Sequence, residues 1–200
     1  MESPRRIIGN ITLSLDGRTT GPGGPYDMGW IVPHSVSDEA RDALVGMTKG
    51  TTALLGRVNY EGFGSYWPAV ARDETAEPRD RKFAQWMDDV EKVVFSTTLT
   101  ELSWKNSKHA ESGPAETAQA LRRSGDGDVW VLNSQSIIRQ LLEADELDRL
   151  VIDLAPELIG AGDKLFRDGL PTSAWTLAES APSTSGAIRL AYDRKREVAA

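Results

Sequence analysis

Short apolar runs alternate along the chain with segments whose apolar positions recur at helical spacing. Residues 7–13 (Ile-Ile-Gly-Asn-Ile-Thr-Leu), 52–55, 92–96, 128–132, 150–154, 174–179 and 187–192 are short and aliphatic-rich, which predicts strands. Ser35 or Ser37 is placed to cap a helix through Glu39, Ala40, Leu44 and Met47, with acids in its first turn and Gly50 as its end. Further helices are predicted over 79–87, from Gly113-Pro114 through Leu121, and around Ile137, Ile138, Leu141 and Leu142. The charged stretch 71–81 reads as an exposed loop leading into one of them. Strands alternating with helices imply an α/β fold with a mostly parallel central sheet and flanking helices. The last two strands have no helix between them, and 180–186 reads as a turn, so the sheet is expected to end in a C-terminal antiparallel hairpin.

In such a sheet, chemistry is expected at the carboxyl ends of the strands. The first strand runs into Ser14-Leu15-Asp16-Gly17-Arg18-Thr19, where a carboxylate and a glycine mark an abrupt change of direction. Gly21-Pro22-Gly23-Gly24-Pro25 can continue neither strand nor helix, which predicts a lid-like loop closed by Trp30, itself a candidate wall of a ligand pocket. The second strand ends in Gly56-Arg57, where glycine admits close backbone approach and arginine can grip a phosphate. The third ends in Ser96 and Thr97, hydroxyls that suit a phosphate or begin a turn. Asn133-Ser134-Gln135-Ser136 stands between a buried strand and a helix, whose free N–H groups make an anion site; a plain helix cap at Asn133 or Ser134 is the competing reading. Each strand end fits a simple turn when taken alone. Together they outline a cleft.

Composition narrows the chemistry. Two hundred residues, 40% of them hydrophobic, suit one domain spanning 1–200 without an internal linker. A net charge of -7 argues against nucleic acid and anionic membrane as partners. With no cysteine there is no disulfide, thiolate zinc site or cysteine nucleophile, and two histidines leave a metal short of ligands, so none is expected. His34 and His109 are candidates for proton transfer without a recognisable partner, and the six tryptophans are expected to pack. No segment approaches the ~20 apolar residues of a membrane span and none reads as a signal peptide, so a cytoplasmic protein is expected. Rossmann, P-loop and G-x-S-x-G signatures are all missing from the sequence.

Ser14-Leu15-Asp16-Gly17-Arg18-Thr19, Trp30-Ile31, Glu39-Ala40-Arg41, Asp128-Val129-Trp130-Val131 and Ala155-Pro156-Glu157-Leu158-Ile159-Gly160 resemble, in order and spacing, the C-terminal reductase domain of the riboflavin-biosynthesis enzyme RibD. Leu54-Leu55-Gly56-Arg57 with Tyr60-Glu61 is similar to stand-alone members of the same superfamily. The resemblance implies a dihydrofolate reductase-like fold and NADPH-dependent hydride transfer to a small heterocycle, carbonyl or imine, such as the ribosylaminopyrimidine phosphate of riboflavin synthesis. It also implies a homodimer. By the same resemblance, Gly56, Arg57, Ser96 and Thr97 lie towards the adenosine and its 2′-phosphate, Asn133, Ser134, Gln135 and Ser136 hold the pyrophosphate, and Trp30 and Tyr60 contact substrate. Asp16 is the candidate catalytic proton source.

Three departures qualify the pattern. Trp30-Ile31-Val32-Pro33 is followed by no acid until Asp38, so dihydrofolate is not the expected substrate. Asn133-Ser134 replaces the usual glycine-rich pyrophosphate turn, which motivates the alternative of a ligand-binding protein that keeps the reductase fold. The zinc deaminase half of RibD has no counterpart here, and the lack of cysteine excludes its chemistry.

Overall fold

The aliphatic run near the N-terminus becomes strand β1 (Ile7–Ser14), buried along nearly all its length, with strands on both sides as far as Asn10 and on one side beyond it. The computed structural model describes residues 5–196. Its eight-stranded sheet has the order β4-β3-β2-β5-β1-β6-β8-β7, with β2 (Thr52–Gly56), β3 (Glu91–Phe95), β4 (Ser107–His109), β5 (Val129–Leu132), β6 (Arg149–Ala155), β7 (Ala174–Pro182) and β8 (Ile188–Lys195). Strands β1 to β6 pair in parallel, and β8 joins β6 and β7 antiparallel.

The period-two alternation of the strands divides the core between the two faces of the sheet. Ile7, Ile11, Leu54, Val93, Val129 and Val131 pack under α5 (Pro114–Arg122) and α6 (Gln135–Glu143) through Ala118, Leu121, Ile137, Ile138 and Leu141. A Cβ built on Gly9 would stand 3.2 Å from Ile138, so glycine lets α6 lie close on β1. On the other face Ile8, Ala53, Leu55, Val94 and Leu132 meet α2 (Asp38–Met47), α3 (Arg57–Arg72) and α4 (Pro78–Asp89) through Met47, Tyr60, Phe83 and Met87.

The predicted elements form, with shifted ends. Ser37, not Ser35, caps α2 by accepting the Ala40 amide, and Ser35 instead closes a short helix α1 (Val32–Ser35) that follows a 3-10 turn at Gly29–Ile31. The loop expected over 71–81 shrinks to 73–77. Helix α3 runs to Arg72 despite its interior Pro68, and α4 begins at Pro78, with Glu77 accepting the amides of Arg79 and Asp80. Strand β4 was not expected, because Ser-Lys-His carries no apolar signal; it is held by pairing with β3. The hairpin turn is shorter than 180–186, since β7 continues to Pro182.

Sheet connectivity places the site. The chain leaves β1 for β2, β3 and β4, then returns to insert β5 between β2 and β1. Pairing of β1 with β5 covers only Ile7 to Asn10, whereas pairing with β6 continues to Ser14. Beyond Asn10, β1 therefore has no strand on its β5 side. A notch opens there at the switch point of the sheet.

Candidate functional site

Asn133 fills the root of this notch. Its amide donates to the Asn10 carbonyl at 2.8 Å, and its side-chain Oδ1 accepts the Thr12 amide at 3.0 Å, so the side chain takes over hydrogen bonding that a longer β5 would have supplied. The residue holds a left-handed backbone, φ 48°, which asparagine tolerates better than most residues. Ser134 follows, buried, with its hydroxyl donating to the Leu132 carbonyl and accepting from the Gly56 amide at 2.9 Å and from Asn59. One hydroxyl thus ties the ends of β5 and β2 together. Ser134 makes no side-chain cap bond to α6; the Gln135 amide donates to the Asn133 carbonyl and the Ile137 amide to the Ser134 carbonyl, which leaves the Ser136 amide as the first-turn donor available to a ligand.

A cavity of about 700 Å³ lies over the carboxyl ends of β2, β3 and β5. Gly56, Arg57, Ser96, Thr97, Asn133, Ser134, Gln135 and Ser136 all line it. Thr19, Thr20, Pro25 and Met28 from the glycine-proline loop cover one side, and Asn59, Ser112 and Pro114 are further lining residues that the strand-end pattern did not single out. Helices α3, α5 and α6 all begin at this cavity, and α3 and α5 have the glycine N-caps Gly56 and Gly113 without side-chain cap bonds. Converging helix N-termini supply partial positive charge and N–H donors, which favour a phosphate-bearing ligand. Arg57 adds a full charge. Its guanidinium is steadied by Glu61 at 2.9 Å and by the Tyr26 hydroxyl. Gln135 is spoken for, with its carbonyl accepting from Thr19 and its amide donating to Asp163.

A second cavity of about 520 Å³ lies on the other side of the notch, and Met28 and Asn133 line both. Its floor is formed by Asn10 and Thr12 of β1, Asp153 of β6 and Arg189 of β8, and its walls by Ile31, Leu44, Phe63, Tyr66, Trp67 and Phe83. Asn10 donates to Asp153 at 2.9 Å, and Arg189 donates to both oxygens of the same carboxylate at 2.7 and 2.9 Å. His34 also lines this space, with Nε2 3.3 Å from Glu157. Apart from His34 and Asn133, the candidate residues of the sequence lie outside this cavity. Two signals were present: Asn10 and Asp153 are polar residues set among the aliphatic positions of β1 and β6.

Asp16, Trp30 and Tyr60 line neither cavity. The Asp16 carboxylate accepts from Ser14 Oγ at 2.7 Å, from the amides of Ile159 and Gly160, and from Arg18. The Ser14 hydroxyl foremost, then these amides, hold its carboxyl well below the usual carboxylate range. It braces the turn after β1 against the loop after β6. Trp30 is half-buried, and Met28, Ile31 and Val32 form the wall assigned to it. Tyr60 is a core residue, 5% exposed, whose hydroxyl accepts the Trp104 amide. His109 lies on β4, outside both cavities.

The strand order and hairpin define a dihydrofolate reductase-like fold. The chain belongs to the RibD C-terminal domain family, which matches residues 5–188. It is 23% identical over 192 residues to YyaP of Bacillus subtilis (strain 168), covering 94% of each chain. A protein from Shewanella sp. PV-4 ascribed to riboflavin biosynthesis has a similar structure, with TM-score 0.70, 21% identity and coverage of 96% of this chain and 99% of that one. Dihydrofolate reductase from Enterococcus faecalis, solved with NADP(H), gives TM-score 0.61 and 14% identity over 96% of this chain and 97% of its own. No helix among the described residues is long and apolar enough to cross a membrane, and those residues hold no cluster of metal-ligating side chains.

Proposed function

We propose that this protein is an NADPH-dependent reductase of a small heterocyclic, carbonyl or imine substrate. The observation that carries the reading is the convergence of α3, α5 and α6 and Arg57 on one cavity that meets a second, largely apolar cavity at Met28 and Asn133. The lining of the first cavity fits a dinucleotide. Arg57, Ser96 and Thr97 would hold the adenosine end and its 2′-phosphate, and the amide and hydroxyl of Ser136 at the start of α6 the pyrophosphate. Family membership and the NADP(H)-bound reductase of the same fold support this choice.

When bound, NADPH supplies a hydride to the substrate. Residues of this chain orient the reactants and exclude water: Met28 and Asn133 set the passage between the cavities, and the aromatic walls dry the substrate side. The balancing proton comes from water or from a group on the second cavity, not from Asp16. Asn133 is no obstacle in this reading, because its carboxamide is turned onto β1 rather than over α6. The working assembly is a cytoplasmic homodimer, with the exposed edge strand β7 as the pairing surface, and analytical ultracentrifugation tests that part.

Titration with NADPH, followed by nicotinamide fluorescence, tests the central claim. Saturable binding is expected, and none at millimolar cofactor would leave only the ligand-binding alternative.

A further inference from the structure

Residues 21–27 fold back on themselves. The Gly21 amide donates to the Asp27 carbonyl at 2.7 Å, the Asp27 amide to the Gly24 carbonyl at 3.0 Å, and the Gly23 amide to the Asp27 carboxylate at 2.9 Å. These bonds make one compact knob. At one end Thr19 and Thr20 are tied to Asp163, and at the other the 3-10 turn Gly29–Ile31 begins. Pro25 within the knob and Met28 just after it line the first cavity, and Met28 lines the second as well. Among the described residues, the Tyr26 hydroxyl is the side-chain group that hydrogen-bonds this knob to the rest of the protein.

Tyr26 donates to Glu61 Oε2 at 2.6 Å, and the same oxygen accepts from Arg57 Nη1 at 2.9 Å, one helical turn back on α3. Nη1 also lies 3.3 Å from the Tyr26 oxygen. The bond to Glu61 raises the Tyr26 hydroxyl above its ordinary value, so it remains a donor at neutral pH. Both arginine bonds leave from one corner of the guanidinium. Its Nε and Nη2 make no hydrogen bond among the described residues, and in a planar guanidinium these two nitrogens form the edge that grips an oxyanion bidentately.

We propose that Tyr26 and Glu61 are positioning residues that join the knob to a phosphate held on the free edge of Arg57, so that filling this edge fixes residues 21–28 and with them the passage at Met28. A phosphate on Nε and Nη2 stops the guanidinium from turning, and Nη1 then stands as a fixed donor to Glu61 and Tyr26. Without that phosphate the side chain of Arg57 swings, and the knob is held only through its two ends. The proposal rests on the reductase reading for the identity of the phosphate, which there is the 2′-phosphate of NADPH. Binding energy from a group remote from the reacting ring is thereby used where the two cavities meet.

Hydrogen exchange of the whole protein, followed over residues 20–28 without ligand, with 5′-AMP and with 2′,5′-ADP, tests the linkage. The amides of Gly21, Gly23 and Asp27 are expected to exchange about fivefold more slowly with 2′,5′-ADP, and within about twofold of the free protein with 5′-AMP. In Tyr26→Phe and in Glu61→Ala the slowing is expected to vanish, while the Kd for 2′,5′-ADP rises no more than about threefold because the binding edge of Arg57 is intact. Amides of β1 and β6 are the internal control, since general loosening of a variant would speed them too. The proposal is overturned if 2′,5′-ADP does not bind the parent, if it slows exchange no more than 5′-AMP does, or if the slowing persists in either variant. Slowing that depends on Tyr26 leaves the linkage standing even where no substrate is reduced. Saturable NADPH binding with knob exchange equal in parent and Tyr26→Phe sinks the linkage and leaves the reductase reading intact.

Discussion

Asn133 Oδ1 accepts the Thr12 amide at 3.0 Å, so a side chain on the turn after β5 continues the hydrogen bonding of β1 where β5 has ended. The bond keeps the notch open and its wall satisfied at once. Asn133→Ala removes it and also places a Cβ residue without local compensation at φ 48°. A loss of about 2 kcal/mol is expected from the two effects in denaturant unfolding. Asn133→Gly relieves the backbone term and should lose less, about 1 kcal/mol. Equal losses would show that the backbone conformation contributes nothing.

Arg57 is the cationic side chain of the first cavity, and the reading above directs it at a 2′-phosphate. Arg57→Ala is expected to raise the Kd for NADPH about tenfold while changing that for NADH much less. Fluorescence titrations with both nucleotides check this. Equal weakening of both would place Arg57 away from the 2′-phosphate.

For Asp16, the folded-state pKa is depressed, so its contribution to stability is present above the ordinary carboxylate pKa and is lost as the pH falls through the folded value. Asp16→Asn should therefore melt below the parent at neutral pH, with the gap narrowing in acid. Turnover of a confirmed substrate should survive the change. Abolished turnover in a variant with unchanged melting would restore Asp16 as the proton source.

Lys92 is fully buried in β3, and its ammonium donates to the carbonyls of Met87 and Val90 at 2.6 and 2.8 Å and to that of Asp88, with the Trp104 ring centroid at 4.8 Å. It closes the end of α4. Lys92→Met fills the space but leaves those carbonyls unpaired, at an expected cost of about 2–3 kcal/mol. Burial pushes the Lys92 ammonium down to about 8. Between that value and its ordinary 10.5 the unfolded chain binds the proton better than the folded one, so stability from this position rises with pH across that window. Urea unfolding of parent and variant over this range should show the slope only in the parent.

Sequence alone determined the mostly parallel sheet, its hairpin end and the strand-end residues that meet on the first cavity. Those rest on local signals: aliphatic runs at strand length, caps and glycines at fixed places, and small polar residues at strand ends, which a parallel topology necessarily brings to one edge. Gly56, Arg57, Ser96, Thr97 and Asn133 to Ser136 meet on one cavity for that reason. Tertiary structure alone decided what lies beyond. Asp16 became a brace because its partners Ile159 and Gly160 are distant in the chain, and Tyr60 became core because α3 turned it towards Trp104. The second cavity is assembled from β1, β6, β8, α2, α3 and α4, and its charge balance exists only when Glu39, Asp80, Asp153 and Arg189 are brought to one wall. A strand end is a local property of the sequence, whereas a pocket built from distant segments is a property of their packing.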